Sequence, residues 1–177
     1  VKLPASISLS SVGPKEAVDK SSASSVLNSA LDKVALLQNS EASSRMETFV
    51  KSLPETNTLQ IRTLTPASAS KEINETLVIS GSGNSSSNSV EAFVIDLSQL
   101  LNTSVQLDNI EFAAICGPAT LFGGAGSNVI SADDAVQNIL LGEDDDILDA
   151  GGGDDKVGSA GGDDEVYGGE GNDIVFG

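Results

Sequence analysis

Histidine is absent from this 177-residue chain, cysteine occurs once, and nine basic residues stand against 26 acidic ones. Without histidine, most hydrolase triads and many transition-metal sites are excluded. The lone Cys116, in "IEFAAICG", has no partner for an internal disulfide and no histidine to activate it as a nucleophile. It reads as a buried cysteine at a strand end. The formal net charge of −17 argues against nucleic acid, whose phosphates would be repelled, and disfavours binding to anionic membranes. No apolar run reaches the 18 residues or so of a transmembrane helix, so no membrane insertion is expected. No signal-peptide pattern is present, and a chain starting at Val1 reads as a processed or excised segment. The G-x-G at 81–83 lacks the Lys-Ser/Thr of a phosphate loop. An EF-hand starting at Asp144 lacks the glycine at position 6 and the glutamate at position 12. No catalysis is expected.

What the chain has in abundance is glycine beside aspartate, repeated. "GGEGNDIVF" fills 168–176, and stepping back by nines from Val175 gives Val166, Val157, Leu148, Ile139, Ile130 and Leu121, all aliphatic. The step from Asp173 gives Asp164, Asp155, Asp146, Gln137 and Asn128; that from Gly171 gives Gly162, Gly153, Asp144, Ala135 and Gly126. A fixed short period signals a solenoid. From residue 117 onward there are fourteen acidic residues and one basic residue, Lys156. Such charge density ordinarily marks disorder, so the period argues for order supplied by cations.

Six residues of each nonapeptide form a turn and three a short strand whose central aliphatic side chain points inward. Each repeat reverses the chain by half a revolution, so repeats n and n+2 stack about 4.8 Å apart. This places Asp155 beside Asp173 on one side and Asp146 beside Asp164 on the other. Two ionised carboxylates at that spacing repel by about 3–4 kcal/mol at an effective dielectric near 20. Carboxylates together with the carbonyls of glycine turns, at Gly151, Gly153, Gly162, Gly169 and Gly171, make an all-oxygen site that suits Ca2+ better than zinc or copper. Asp144 adds a carboxylate where the repeat otherwise has glycine. Asn128 with Asp146 and Gln137 with Asp155 form weaker sites, because an amide oxygen ligates without charge.

These repeats resemble the RTX (repeats-in-toxin) nonapeptides of secreted bacterial proteins. "GGEGNDIVF" matches at every defined position; "SAGGDDEVY" and "AGGGDDKVG" keep the third glycine, the aspartate and the aliphatic residue; "LGEDDDILD" keeps the last two, and "ADDAVQNIL" only the aliphatic one. The resemblance covers about a third of the chain. It implies a right-handed parallel β-roll with calcium between stacked turns, in a protein exported by type I secretion to the cell surface or beyond.

Ahead of the repeats, residues 1–57 read as a polar segment with two short amphipathic helices. The first places Val26 or Leu27, Ala30, Leu31, Val34 and Leu37 on one face, with N-caps among Ser21 to Ser24. The second gathers Met46, Phe49, Val50 and Leu53 and stops at Pro54. Residues 58–116 read as metal-free strands that cap or lead into the solenoid: "TLQIRTLT", "ETLVIS", "EAFVIDL", "TSVQL" and "NIEFAAI", with a turn at 81–89. The nine-residue step from Leu121 lands on Phe112, which suggests a shared core. Sequons at Asn74, Asn84 and Asn102 carry no glycan in a bacterial protein. The expected fold is therefore β-dominated, with a parallel β-solenoid over 117–177, preceding strands and an N-terminal helical segment. The expected function is a calcium-binding structural module of a secreted or cell-surface bacterial protein. Its alternatives are a calcium-dependent self-assembling subunit of a filament, matrix or surface layer, and the non-catalytic tail of a secreted enzyme.

Overall fold

A computed structural model describes residues 1, 3–4, 7–34, 40–68, 75–81, 88–100 and 103–177. Leu37, the asparagines of the three sequons and most of the 81–89 turn lie outside the described residues. The chain opens with two strands, β1 (Ile7–Val12) and β2 (Val18–Asp19), both antiparallel to β3 (Thr58–Ser68). Sequence periodicity did not foresee them, because "ISLSSV" is too polar to stand out from a loop. Helix α1 (Lys20–Lys33) follows, then α2 (Ser40–Ser52). The cap of α1 is Asp19 rather than a serine: its Oδ1 accepts the Ser22 N–H at 3.0 Å, and Ser21 to Ser24 lie inside the helix.

From β3 onward the chain alternates between two sheets. The strands are β4 (Thr76–Ser80), β5 (Ser89–Asp96), β6 (Thr103–Asp108), β7 (Phe112–Cys116), β8 (Ala119–Gly123), β9 (Val129–Ala132), β10 (Gln137–Leu140), β11 (Ile147–Asp149), β12 (Lys156–Gly158), β13 (Glu165–Tyr167) and β14 (Ile174–Phe176). The odd strands form one parallel path, β3-β5-β7-β9-β11-β13, and the even ones another, β4-β6-β8-β10-β12-β14. The fold is a parallel β-solenoid with two helices near the N-terminus. In the nonapeptide region partners are 18 residues apart, as in Ile139↔Val157, Leu148↔Val166 and Val157↔Val175.

The interior between the sheets holds Leu77, Ile79, Ile95, Leu107, Ile115, Leu121, Ile130, Ile139, Leu148 and Val157. Five of the seven periodic aliphatic residues are thus fully buried, Val166 packs against this core, and Val175 on the last strand is half exposed. A second core lies on the outer face of the odd-numbered sheet. There Leu27, Leu31, Met46, Phe49 and Val50 of the helices cover Leu59, Ile61, Ala92, Phe112, Ala114 and Cys116. The helices therefore pair with each other and lie on the sheet, and β7 is buried on both faces.

Phe112 does not continue the inward periodic column. Ala113 pairs with Ile130 at a 17-residue offset, one short of the repeat. A one-residue shift turns a side chain to the opposite face. Phe112 consequently faces the helices and stacks on Phe49 at 5.1 Å.

Candidate metal centre

The sixth residue of each nonapeptide begins or precedes a strand at the edge of the roll. In that column Asn128, Gln137, Asp146 and Asp155 are 1–2 % exposed, and Asp164 and Asp173 are half-buried. The expected pairs are brought together. The Asp146 N–H donates to Asp164 Oδ1 and the Asp155 N–H to Asp173 Oδ1, both at 2.9 Å. The same contact continues with amides below: Asn128 N–H donates to Asp146 Oδ1 (2.8 Å) and Gln137 N–H to Asp155 Oδ1 (2.7 Å). Each carboxylate thus spends one oxygen on the peptide of the coil two repeats earlier and keeps the other for a second partner.

For Asp146 that partner is the Ser159 hydroxyl, which donates to Oδ2 at 3.1 Å. For Asp155 there is none among the described residues: Oδ2 is buried without a hydrogen bond. Burial, and after it the charges of Asp173, Asp133 and Asp154, push the Asp155 carboxyl up to about 6, against the pull of the Gln137 N–H. Burial likewise raises Asp146, with Asp164 adding to it.

Two further oxygens at sixth positions share this condition. Gln137 Nε2 donates to Asp133 Oδ1 at 2.9 Å and Asn128 Nδ2 to the Ile110 carbonyl at 2.7 Å, which fixes both amide orientations. Gln137 Oε1 and Asn128 Oδ1 are then buried acceptors with no donor among the described residues. An unsatisfied buried acceptor costs about 1–3 kcal/mol. These oxygens are uncharged or anionic, hard and free of competing N–H groups, so their chemistry fits a calcium ion. Among the described residues, no group of three or more His, Cys, Asp or Glu side chains converges as a metal cage. Any ion here would depend on amide and carbonyl oxygens beside one or two carboxylates.

The expected turn glycines Gly151, Gly153, Gly162, Gly169 and Gly171 all adopt positive φ, between 85° and 137°. At Gly171 the reason is double: besides φ 137°, a Cβ would lie 1.7 Å from the Gly153 carbonyl oxygen of the coil below. Asp144, in a glycine slot, is exposed and accepts the Gly126 N–H at 2.8 Å through Oδ2, stitching coils from the outside.

Sequence reading passed over Asp133, which occupies the second-glycine slot of "ADDAVQNIL". It is 3 % exposed and accepts from Gly117 N, Ala135 N and Gln137 Nε2. At the fifth position Asp163 faces solvent as its place in the repeat predicts, but the column also links coils, which the repeat alone does not show: Asp145 Oδ1 accepts Asp163 N and Asp154 Oδ1 accepts Asn172 N, both at 2.9 Å. The signal for the first was the departure from glycine itself; for the second it was the doubled Asp-Asp.

These geometries separate adjacent aspartates. Asp164→Ala removes the acceptor for Asp146 N, whereas the exposed Asp163 carboxylate sits on no such contact. Losing a hydrogen bond to a charged group costs about 1.5–3 kcal/mol. Asp164→Ala is therefore expected to shift the denaturant midpoint of the repeats clearly, and Asp163→Ala to leave it nearly unchanged. Equal shifts would overturn the assignment.

No family model, no curated protein and no solved structure matches this chain.

Proposed function

We propose that the chain is a calcium-binding structural module of a secreted or cell-surface bacterial protein, with no catalysis of its own, whose coils are completed by calcium outside the cell. The observation that carries this reading is the set of buried oxygens without donors, Asn128 Oδ1, Gln137 Oε1 and Asp155 Oδ2, within the column of stacked carboxylates. A cation beside Asp155 would relieve three repelling carboxylates and an orphaned oxygen at once. The lopsided charge of the repeats and their resemblance to the RTX nonapeptides support the same ion and the same compartment. Extracellular calcium modules bind at about 10⁻⁴–10⁻³ M, far above cytosolic calcium, so export would be the event that loads the sites.

Crystals grown in millimolar calcium test this. Ions are expected on both sides of the roll, one along the Gln137–Asp155–Asp173 column and one along Asn128–Asp146–Asp164. Ordered coils with no ion in either column would contradict the reading.

A further inference from the structure

Arg45 lies in the second turn of α2, yet its contacts are with the repeats 104 residues further along. Its Nε donates to Asp149 Oδ2 at 3.0 Å, and its guanidinium carbon lies 4.2 Å from the centre of the Tyr167 ring. Asp149 and Tyr167 are register partners on adjacent strands, β11 and β13. One side chain therefore spans two successive coils from outside the roll. The Asp149 carboxylate is buried, its other oxygen accepting the Gly151 N–H at 3.2 Å. Breaking a buried pair from one side strands a charge.

The apolar seam does not reach this far. Among the described residues, the helices bury their apolar faces against β3, β5 and β7, with Val129 of β9 packed alongside. Beyond it, a cleft of about 640 Å³ opens between Ser44, Arg45, Asp149, Tyr167 and Gly169. Among the described residues, Arg45 supplies a polar contact between helix and coil over β11 and β13.

We infer that Arg45 is a brace coupling the N-terminal helices to the late coils, so that α2 and the β11–β13 pair open and close as one unit. If the coils are ordered by calcium, as proposed above, the brace passes that state to the helices. The coupling itself does not depend on the ion.

Native-state hydrogen exchange of the full chain in sub-denaturing urea tests the brace. In the unaltered protein the slow amides of α2 and of β11 and β13 are expected to share one opening transition. In the double variant Arg45→Met/Asp149→Asn, which leaves no lone buried charge, the coil amides are expected to exchange at least about fivefold faster than those of α2, the lower end of ordinary coupling between sites. Tyr167→Leu changes an exposed residue and keeps the ion pair, so it guards against a double variant that does not fold; it is expected to separate the two sets at least twofold. Separate transitions in the unaltered protein, or merged ones in a folded variant, would overturn the brace. Repeating the series with calcium and with chelator distinguishes the two claims. Calcium that slows no amide anywhere would sink the calcium reading, while the urea transitions still decide the brace.

Discussion

Asp155→Asn is expected to stabilise the calcium-free protein at neutral pH and to weaken its calcium binding. The carboxylate is buried, is raised to about 6 by that burial and by Asp173, Asp133 and Asp154, and holds an oxygen without a donor. Asparagine keeps the shape, removes the charge and supplies an N–H in place of that oxygen. A raised carboxyl means that the folded state holds its proton more tightly than the unfolded chain. Stability from this group is then fully present below the ordinary carboxylate value of 3.8 and is lost as pH rises toward about 6. Asp146, raised by burial, acts in the same direction. Above that window the variant is expected to exceed the parent by on the order of 2 kcal/mol without calcium. Its calcium affinity is expected to fall tenfold or more, since about 1.4 kcal/mol suffices for that. Thermal melts in chelator at pH 4 and pH 7 check the first effect. A variant less stable than the parent at pH 7 would show that the buried carboxylate is satisfied by the protein alone.

Chelation is expected to loosen the roll from its late end. The last fully buried interior aliphatic residue is Val157; beyond it Val166 is partly covered and Ile174, Val175 and Phe176 are exposed. Strands β11 to β14 are three residues each. Ordering a residue's backbone costs about 1–2 kcal/mol, and these coils bury little in return. The earliest coils have longer strands and hold without ions, whereas α2, braced to β11 and β13 by Arg45, is expected to loosen with those two strands. At ten times Kd a calcium site adds about 1.4 kcal/mol, so the two proposed sites would contribute about 3 kcal/mol, concentrated where the apolar core is thinnest. In hydrogen exchange, amides of β11–β14 are expected to lose protection tenfold or more in chelator, while those of β3–β7 keep theirs. Uniform protection in both conditions would mean that the core alone holds the repeats.

The parts of this architecture visible in the sequence are those set by local period. Nine-residue steps give the inward column from Leu121 to Val157, the 18-residue stacking and the sixth-position pairs, because each follows from the geometry of one repeat. The amphipathic faces of α1 and α2 were visible for the same reason. Contacts set by the rest of the fold were not. The reversal of Phe112 depends on a 17-residue offset between β7 and β9. Pairing of β1 with β3 joins Ile7 to Ser68, and no periodicity reaches across that distance. Arg45 and Asp149 meet only because α2 lies along the outer sheet face. The sixth-position slots of Gln137 and Asn128 follow from the repeat, but that their oxygens are the atoms left over depends on Asp133 and the Ile110 carbonyl accepting from the amide nitrogens.

The central claim is that the sixth-position oxygens hold calcium, and calorimetric titration of the intact chain at pH 7 tests it most directly. Two or more calcium ions are expected to bind, with dissociation constants of about 10⁻⁴–10⁻³ M, and with one site lost or weakened at least tenfold in Asp155→Asn. Absence of binding at millimolar calcium, or binding unchanged by that substitution, would contradict the account.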